Sequence, residues 1–447
     1  MLFTADLHIH SRFARATSRS ITLPSIVEWA KLKGIDLIAI PDYTHPVWLK
    51  EVEPQIEEDD TGFYVLKSDQ DLIRTHLVFS TELSCIFNRG DKNYRIHFIL
   101  VAPDLPSVKR INQALSIEGN LDIDGRPTFF GKDIVVLLDR IFNACPDCIV
   151  FPAHIWTPWF SLFGSRSGFN SFEECFKKFS DSINAVETGE SSDPAMNWRV
   201  KQLDKKIIVS FSDAHSQINI GREATVFEGE FSFAGLRDAL SGNNSEDEMR
   251  KKQKKARVVS TIEFYPQEGK YHYTGHRNCG VVYSPEDTKK YGVECPICHK
   301  PLTVGVMHRV EELAERSIDE LGIKEENGLV TSTTLNRSPY RRFIQLHNVI
   351  AQALMIHNSR SDKVIKLYKD LCTTFGSELN VLMDTPIEKI SEYAGDIVGE
   401  AIRKNRVGEV KILPGYDGVY GSISIPLSVG SFDKGKTDRN VKQTTLF

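Results

Sequence analysis

The chain has 447 residues, 55 basic against 60 acidic, for a net charge of -5. That length holds roughly two to four domains, and that charge balance does not by itself announce nucleic acid as a partner. No stretch reaches the about 18 uninterrupted apolar residues of a membrane span, and no basic-then-apolar leader precedes the first strand, so the expectation is a cytoplasmic chain with no membrane partner.

The first apolar run ends in Asp6-Leu7-His8-Ile9-His10-Ser11. In extended backbone alternate side chains share a face, so His8 and His10 present two imidazoles to one point while Leu7 and Ile9 face away. The later runs end alike. Ile35 to Ile40 leads into Pro41-Asp42-Tyr43-Thr44-His45, Leu77 to Thr81 into Glu82, and Arg95 to Val101 carries His97 inside it. Ile149 to Ala153 delivers His154, Ile183 to Val186 delivers Glu187, and Ile207 to Phe211 delivers Ser212-Asp213-Ala214-His215, which repeats the i, i+2 geometry. One His-x-His box also suits a surface or core pair. Two such boxes, each closing a predicted strand, frame a metal site.

Helical patterns separate these runs at 24–33, 107–115, 132–143, 171–179, 194–204 and 232–240. Strands alternating with helices imply parallel pairing, and barrels of that kind gather their chemistry at the carboxyl ends of the strands. The expected fold class is α/β: a distorted β/α barrel over 1–242 with a metal cluster at its mouth.

Residues 243–257 predict a charged linker, in which Arg250, Lys251, Lys252, Lys254, Lys255 and Arg257 follow Glu246-Asp247-Glu248. Such a run serves as a solvated linker or as a phosphate-binding strip. Among the eight cysteines, Cys85, Cys175 and Cys372 stand alone. Cys145 and Cys148 have redox or metal spacing but no second pair nearby, and are read as structural. His276-Arg277-Asn278-Cys279 is followed, after 15 intervening residues, by Cys295-Pro296-Ile297-Cys298. Two knuckles at that spacing predict a ribbon over 258–309 closed by one structural zinc ion. His272 and His299 compete with His276 as the fourth ligand; His276 is preferred because its spacing mirrors the second knuckle. So small a segment has little core, so the ion supplies much of its folding energy.

Over 310–426 helical patterns recur at 310–320, 341–355, 361–375 and 387–404. Pro414 to Gly421 is glycine-rich, which suits a plain turn or a close approach to a phosphate backbone. From Ser428 the chain turns polar, and a flexible tail over 427–447 is expected, ending in Gln443-Thr444-Thr445-Leu446-Phe447.

At this point the motifs carry a resemblance. Asp6-Leu7-His8-Ile9-His10, Pro41-Asp42, Thr81-Glu82, His97, His154 and Asp213-Ala214-His215 resemble the metal boxes of the polymerase and histidinol phosphatase (PHP) superfamily. Three longer segments narrow the likeness: His154-Ile155-Trp156-Thr157-Pro158-Trp159-Phe160 through Gly164-Ser165-Arg166-Ser167-Gly168, Val186-Glu187-Thr188-Gly189 through Asp193-Pro194-Ala195-Met196-Asn197-Trp198-Arg199, and Tyr271-His272-Tyr273-Thr274-Gly275-His276-Arg277 with its ribbon. Together, over about residues 1 to 425, they look like the endonuclease Q family.

That resemblance implies a DNA repair endonuclease that hydrolyses the phosphodiester 5′ to deaminated bases (hypoxanthine, uracil, xanthine) and at abasic sites. It further implies metal-activated water, nucleoid association when DNA is bound, and a ribbon and helical region that grip DNA. The barrel would hold two or three divalent ions, zinc, manganese or magnesium. Carried over residue by residue, His8, His10, Glu82 and Asp213 form the catalytic set, with no separate protein nucleophile. Glu82 bridges to a second ion on His97 and His154, and a third ion involves Asp42 and His215. The wider superfamily often places another histidine several residues after the first box; here Arg12-Phe13-Ala14-Arg15-Ala16 stands instead, a departure that bears on the third ion.

Phosphodiester hydrolysis needs a nucleophile, a clamp on the phosphoryl oxygens and help for the leaving oxygen, and a metal cluster provides all three. Asp6 faces the same side as His8, where it orients a ligand or caps the strand. A nuclease that reads altered bases must also take the base out of the stack. The expected pocket runs from Glu187 to Asn197, with Ser191 and Ser192 inside it and Trp156 beside it. Trp156, Trp159 and Phe160 stack on bases or fill the core. The competing readings are a PHP-type small-molecule phosphoesterase, a structure-specific nuclease without base preference, and a non-enzymatic DNA-binding protein. The terminal Gln443 to Phe447 segment resembles part of the motif that docks on the sliding clamp (PCNA), with Gln443 and Leu446 in register.

Overall fold

The computed structural model describes residues 1–71, 75–241 and 255–427. The strand Leu2–Asp6 lies between two neighbours, parallel to Leu37–Ile40 and antiparallel to Ala224–Gly229. Leu37–Ile40 pairs in parallel with the start of the 14-residue strand His76–Arg89. That strand runs on past Glu82 and folds back on Lys92–Ala102. Only two residues, Gly90 and Asp91, join them, and a connection so short allows antiparallel pairing alone. Lys92–Ala102 in turn pairs antiparallel with Ile149–Pro152.

There the ladder breaks. Ala185–Glu187 and Ile207–Val209 pair in parallel with each other as a separate two-stranded sheet. They are tied to the rest by single bonds: Ile155 N–H donates to the Glu187 carbonyl at 3.1 Å, His10 N–H to that of Ala214 at 3.0 Å, and Thr225 Oγ1 bridges Ser210 N and O, each at 2.9 Å. The all-parallel wall expected from strand and helix alternation is therefore corrected to a mixed, interrupted one.

The helices form where the sequence provides caps. Leu23–Lys33 starts at a Thr22/Ser25 capping box and stops at Gly34 in the left-handed region. Leu105–Ser116 is capped by Asp104 and buries Val108, Ile111 and Leu115, and Ile134–Ala144 is capped by Asp133 and buries Leu137, Leu138 and Ile141. Phe172–Phe176, Pro194–Trp198 and Phe233–Leu240 complete the expected set, the first two shorter than their patterns.

The region after the ribbon is not purely helical. Ile323–Glu326 and Leu329–Ser332 make a hairpin over Asn327 and Gly328, both with positive φ, the two-residue turn that Asn-Gly favours. Through Tyr340–Arg342 and Ala256–Glu263 they extend the large sheet. The expected helix at 341–355 accordingly begins only at Leu346, and Val306–Leu313 replaces 310–320. Asp362–Phe375, Glu378–Met383, Ile387–Ala394 and Asp396–Arg406 follow. This helical layer is seated on the first helix by a buried ion pair, Lys33 Nζ to Glu378 Oε2 at 2.6 Å. Glu378 also accepts from Leu346 N at 2.9 Å and Tyr368 Oη at 2.8 Å.

The 414–421 turn is a clamp on protein. Gly415 N–H donates to Gln267 O at 2.8 Å, Gly418 to Lys270 at 2.8 Å and Gly421 to Glu268 at 3.0 Å, while Asp417 accepts from Arg277 N at 2.7 Å and Thr303 Oγ1 at 2.6 Å. These amides are occupied, which favours the plain-turn reading over a phosphate contact. Among the described residues no helix is long and apolar enough to cross a membrane. Most of the charged linker, with Arg250, Lys251, Lys252 and Lys254, lies outside the described residues, as do 428–447 with Gln443 to Phe447.

Candidate metal centre

Two linked sets of ligand atoms gather where the strands meet. His8 and His10 leave the Leu2–Asp6 strand on one side of the chain, as the pleat requires, and both are buried. Asp213 follows Ile207–Val209, and Glu82 sits mid-strand in His76–Arg89. Asp213 and His154 have φ of 46 and 29, and Asp42 has φ of 50, a left-handed conformation that L residues hold only when their surroundings enforce it. Part of that enforcement is visible at His154: a Cβ on Gly189 would come within 2.4 Å of the His154 Cβ.

In the first set, Asp213 Oδ1 lies 3.4 Å from His8 Nε2 and 3.0 Å from His10 Nε2. Glu82 Oε2 lies 3.8 Å and 3.3 Å from the same two nitrogens. Ligands on a tetrahedral ion with bonds near 2 Å stand about 3.3 Å apart, so the spacing is that of a coordination polyhedron. His8 Nε2, His10 Nε2 and Asp213 Oδ1 are buried without a hydrogen-bond partner, a costly arrangement unless something cationic meets them. In the second set the other oxygen, Glu82 Oε1, lies 2.6 Å from His97 Nδ1 and 3.1 Å from His154 Nε2, which are 3.3 Å from each other. Glu82 thus turns one oxygen to each set. The residues present fit divalent ions, with His8, His10, Glu82 and Asp213 as one set and Glu82, His97 and His154 as the other.

The electrostatics agree with that fit. Burial alone would lower the pKa of His8 and His10, but Glu187 and Asp213 beside one and Asp42 and Asp213 beside the other hold both well above the usual imidazole value. Burial alone would raise Glu82 and Asp213, but His97 and Arg126, and His8 and His10, hold them well below the usual carboxylate range. Burial pushes His97 down to about 4. An ion binding here would be met by ionised carboxylates and would displace protons from the imidazoles of His8 and His10.

Behind the ligands stands a row of acceptors. Glu187 Oε1 lies 2.9 Å from His8 Nδ1, and Asp42 Oδ1 lies 3.1 Å from His10 Nδ1. With an ion bound, each ring would give its Nδ1–H to a carboxylate and its Nε2 lone pair to the ion. Asp6 is the orienting residue between the two boxes: its carboxylate accepts from Ser212 N at 3.0 Å and Gly221 N at 2.9 Å, and burial pushes its pKa up to about 6.

Several expected roles change. Asp42 and His215 are not brought into a third set: Asp42 Oδ2 takes the Ser11 N–H at 2.7 Å while Oδ1 faces His10, and His215 Nδ1 donates to the Asp213 carbonyl at 2.9 Å. The substrate pocket proposed around Glu187 is a buried support instead. Glu187 is engaged with His8 and with His154 N at 2.7 Å, Trp156 is buried and donates Nε1–H to Asn197 Oδ1 at 2.8 Å, and Asn197 Nδ2 donates to Ser192 Oγ at 3.2 Å. Within 187–197 only Glu190 and Ser191 are partly exposed. Phe160 covers His97, ring to ring at 4.6 Å, and Trp159 reaches the rim, edge-on to Tyr271 at 5.6 Å. Two residues escaped the sequence reading altogether: Ser161, 3.3 Å from His154 Nδ1, and Arg126, whose Nη1 lies 3.0 Å from Glu82 Oε2. Both sit in loops, where no periodicity marks them.

A third ligand group lies within 258–309, the span of the expected ribbon. Thr274–His276 and Val281–Tyr283 form a hairpin, and His276, Cys279, Cys295 and Cys298 converge on one point. The competing histidines are elsewhere: His272 is buried against Tyr273, and His299 is exposed with Nδ1 2.9 Å from Glu294. The ribbon's own core is Val281, Cys295 and Leu302. Arg166 Nη2, donating to Leu302 O at 3.0 Å, fastens it to the metal-bearing part.

Fold and site define an α/β metal-centre protein whose histidine and carboxylate ligands come from strands and their ends. The family profile of the MJ0043 C-terminal domain matches residues 345–409. The protein MJ0043 of Methanocaldococcus jannaschii is 31% identical over 293 residues, 64% of this chain and 34% of that one, so the chain spans about a third of the length of this relative. The crystal structure of the lesion-specific endonuclease PfuEndoQ from Pyrococcus furiosus is 29% identical with a TM-score of 0.77, covering 95% of this chain and 96% of that one. Endonuclease Q in complex with a 27-mer duplex bearing an abasic lesion at the active site is 28% identical with a TM-score of 0.76, over 95% and 97%. Over 95% of its length the chain is therefore similar to endonuclease Q structures.

Proposed function

We propose that this chain is a metal-dependent, lesion-specific DNA repair endonuclease that hydrolyses the phosphodiester 5′ to deaminated bases and at abasic sites. The observation that carries the reading is the convergence of three unpartnered buried atoms, His8 Nε2, His10 Nε2 and Asp213 Oδ1, on a point that Glu82 links to His97 and His154. The relatives support it: PfuEndoQ is a lesion-specific endonuclease, and the related complex holds an abasic lesion at its active site.

His8, His10, Glu82, Asp213, His97 and His154 would hold divalent ions, which would supply a nucleophile from water at neutral pH and a clamp for phosphoryl oxygens. The reaction consumes one water: its oxygen bonds to phosphorus, one P–O ester bond breaks, and the leaving oxygen takes a proton. The chain's own part is to hold the imidazoles in one tautomer through Glu187 and Asp42, and to fix the distance between the two boxes through Asp6. In this reading 1–242 forms a PHP-type barrel, 258–309 a zinc ribbon held by His276, Cys279, Cys295 and Cys298, and 310–426 a DNA-gripping layer. Nothing in the site or its likenesses supports a sliding-clamp partner.

Side-by-side assays separate the reading from a small-molecule phosphoesterase. Purified protein with manganese, magnesium or zinc is expected to nick lesion-bearing duplexes and to leave p-nitrophenyl and histidinol phosphate intact. Phosphate release without DNA cleavage would overturn the proposal.

A further inference from the structure

Resting on that proposed reaction, we infer that Arg126 is a catalytic residue whose guanidinium grips a non-bridging oxygen of the scissile phosphate. Arg126 is delivered to the centre by a tightly built loop. Asp124 Oδ1 accepts the N–H of Arg126 at 3.1 Å and of Arg15 at 3.2 Å. Gly125 N–H donates to Phe13 O at 3.0 Å, and Pro127 O accepts from Ser84 N at 3.0 Å, two residues along the strand from Glu82. A Cβ on Gly125 would stand 2.4 Å from Asp42 Oδ2 and 2.9 Å from Ala14 N, so the loop can press against the His10 support only because this residue is glycine.

The side chain so placed sits at the boundary between ligands and solvent. Its relative exposure is 23%, against 0% for Glu82. Nη1 meets Glu82 Oε2 at 3.0 Å, and a guanidinium has five N–H donors in a planar fork, so most of them remain for an incoming anion. A second guanidinium, that of Arg222, is committed elsewhere: it donates Nε–H to Ser212 O at 2.9 Å and is ion-paired with Glu190. A site lined by the carboxylates of Glu82 and Asp213 must admit a phosphate anion, and Arg126 sets a fixed positive charge at its boundary with solvent. Fork geometry suits two phosphoryl oxygens or one oxygen shared with Glu82.

The test uses the full-length, metal-loaded protein and its Arg126→Gln and Arg126→Lys variants. Single-turnover cleavage of an abasic-site duplex is expected to fall about 100-fold in Arg126→Gln, and less in Arg126→Lys, which keeps the charge without the fork. Bound metal per chain and the melting temperature are expected to stay at wild-type values. Binding gives a second readout. Replacing the scissile phosphate by an uncharged methylphosphonate should weaken binding to the wild type by about tenfold, and this penalty should shrink in Arg126→Gln. Wild-type rates in Arg126→Gln, an unchanged methylphosphonate penalty, or loss of bound metal together with rate would overturn the inference, the last by making Arg126 only a support for Glu82. A wild-type protein that cuts no lesion duplex would instead overturn the nuclease reading itself.

Discussion

Glu187 joins two metal ligands that lie far apart in sequence: Oε1 is 2.9 Å from His8 Nδ1, and Oε2 accepts the backbone N–H of His154 at 2.7 Å. One carboxylate therefore sets the tautomer of a first-set ligand and the backbone position of a second-set ligand. Removing its charge is expected to lower metal affinity about 10- to 100-fold. Calorimetric titration of metal-free Glu187→Gln with manganese checks this. Wild-type metal affinity with a defect confined to lesion-bearing DNA would return Glu187 to the substrate pocket.

Lys33 and Glu378 are 1% and 4% exposed and pair at 2.6 Å, so each neutralises a charge that would otherwise be buried alone. Lys33→Met is expected to destabilise the fold by about 3–5 kcal/mol, because it strands the carboxylate, and adding Glu378→Gln, which removes the charge but can still pair with Leu346 N and Tyr368 Oη, should recover much of the loss. Urea unfolding of the single and double variants measures both. A double variant no more stable than the single would contradict this account of the contact.

His347 lies beside that pair, and burial with the nearby Lys33 pushes its pKa down to about 3. Unfolded, a histidine titrates near 6.5. The folded value is the lower one, so the contribution is fully present above pH about 6.5 and is lost as pH falls from there toward 3, by up to about 1.4 kcal/mol per pH unit. Glu378 is also held below its usual range: although burial raises it, Lys33 and His347 outweigh that, so its own loss begins only below pH about 4.5. His347→Leu is accordingly expected to flatten the fall in melting temperature between pH 6.5 and 4.5. An unchanged slope in that window would refute the assignment.

Zinc removal is expected to unmake the ribbon locally, since its core is Val281, Cys295 and Leu302 with little else. Cys295→Ser should lose one zinc per chain and bind DNA more weakly while keeping metal at the His8 and His10 centre. Metal analysis and fluorescence anisotropy test it, and normal binding and cutting would remove the ribbon from the mechanism.

The parts of the site that the sequence disclosed are those where side-chain chemistry and backbone period coincide. His8 and His10 share a face because strands alternate, and the knuckle spacing around Cys279 and Cys295 reports a closed tetrahedron directly. Pairing partners are a different matter. Apolar runs at 77–81 and 95–101 look like two parallel strands, yet they belong to one hairpin, and only the short Gly90 and Asp91 connection says so. The Glu187 to Asn197 stretch misleads for a related reason. Small polar residues suit a base pocket, but Ser192 and Asn197 here satisfy one another and Trp156 inside the protein, a pattern that composition alone does not distinguish from an open cleft. Arg126 was illegible because its place depends on what Gly125 touches across the fold.

The most direct test of the central claim uses end-labelled duplexes that differ by a single deoxyinosine or abasic site, incubated with each metal and mapped on a sequencing gel. A lesion-specific nuclease should leave a metal-dependent nick immediately 5′ of the lesion, absent from the undamaged duplex and abolished in Asp213→Ala, whose fold and DNA affinity remain. Equal cutting of damaged and undamaged duplexes, or cleavage that survives Asp213→Ala, would contradict it.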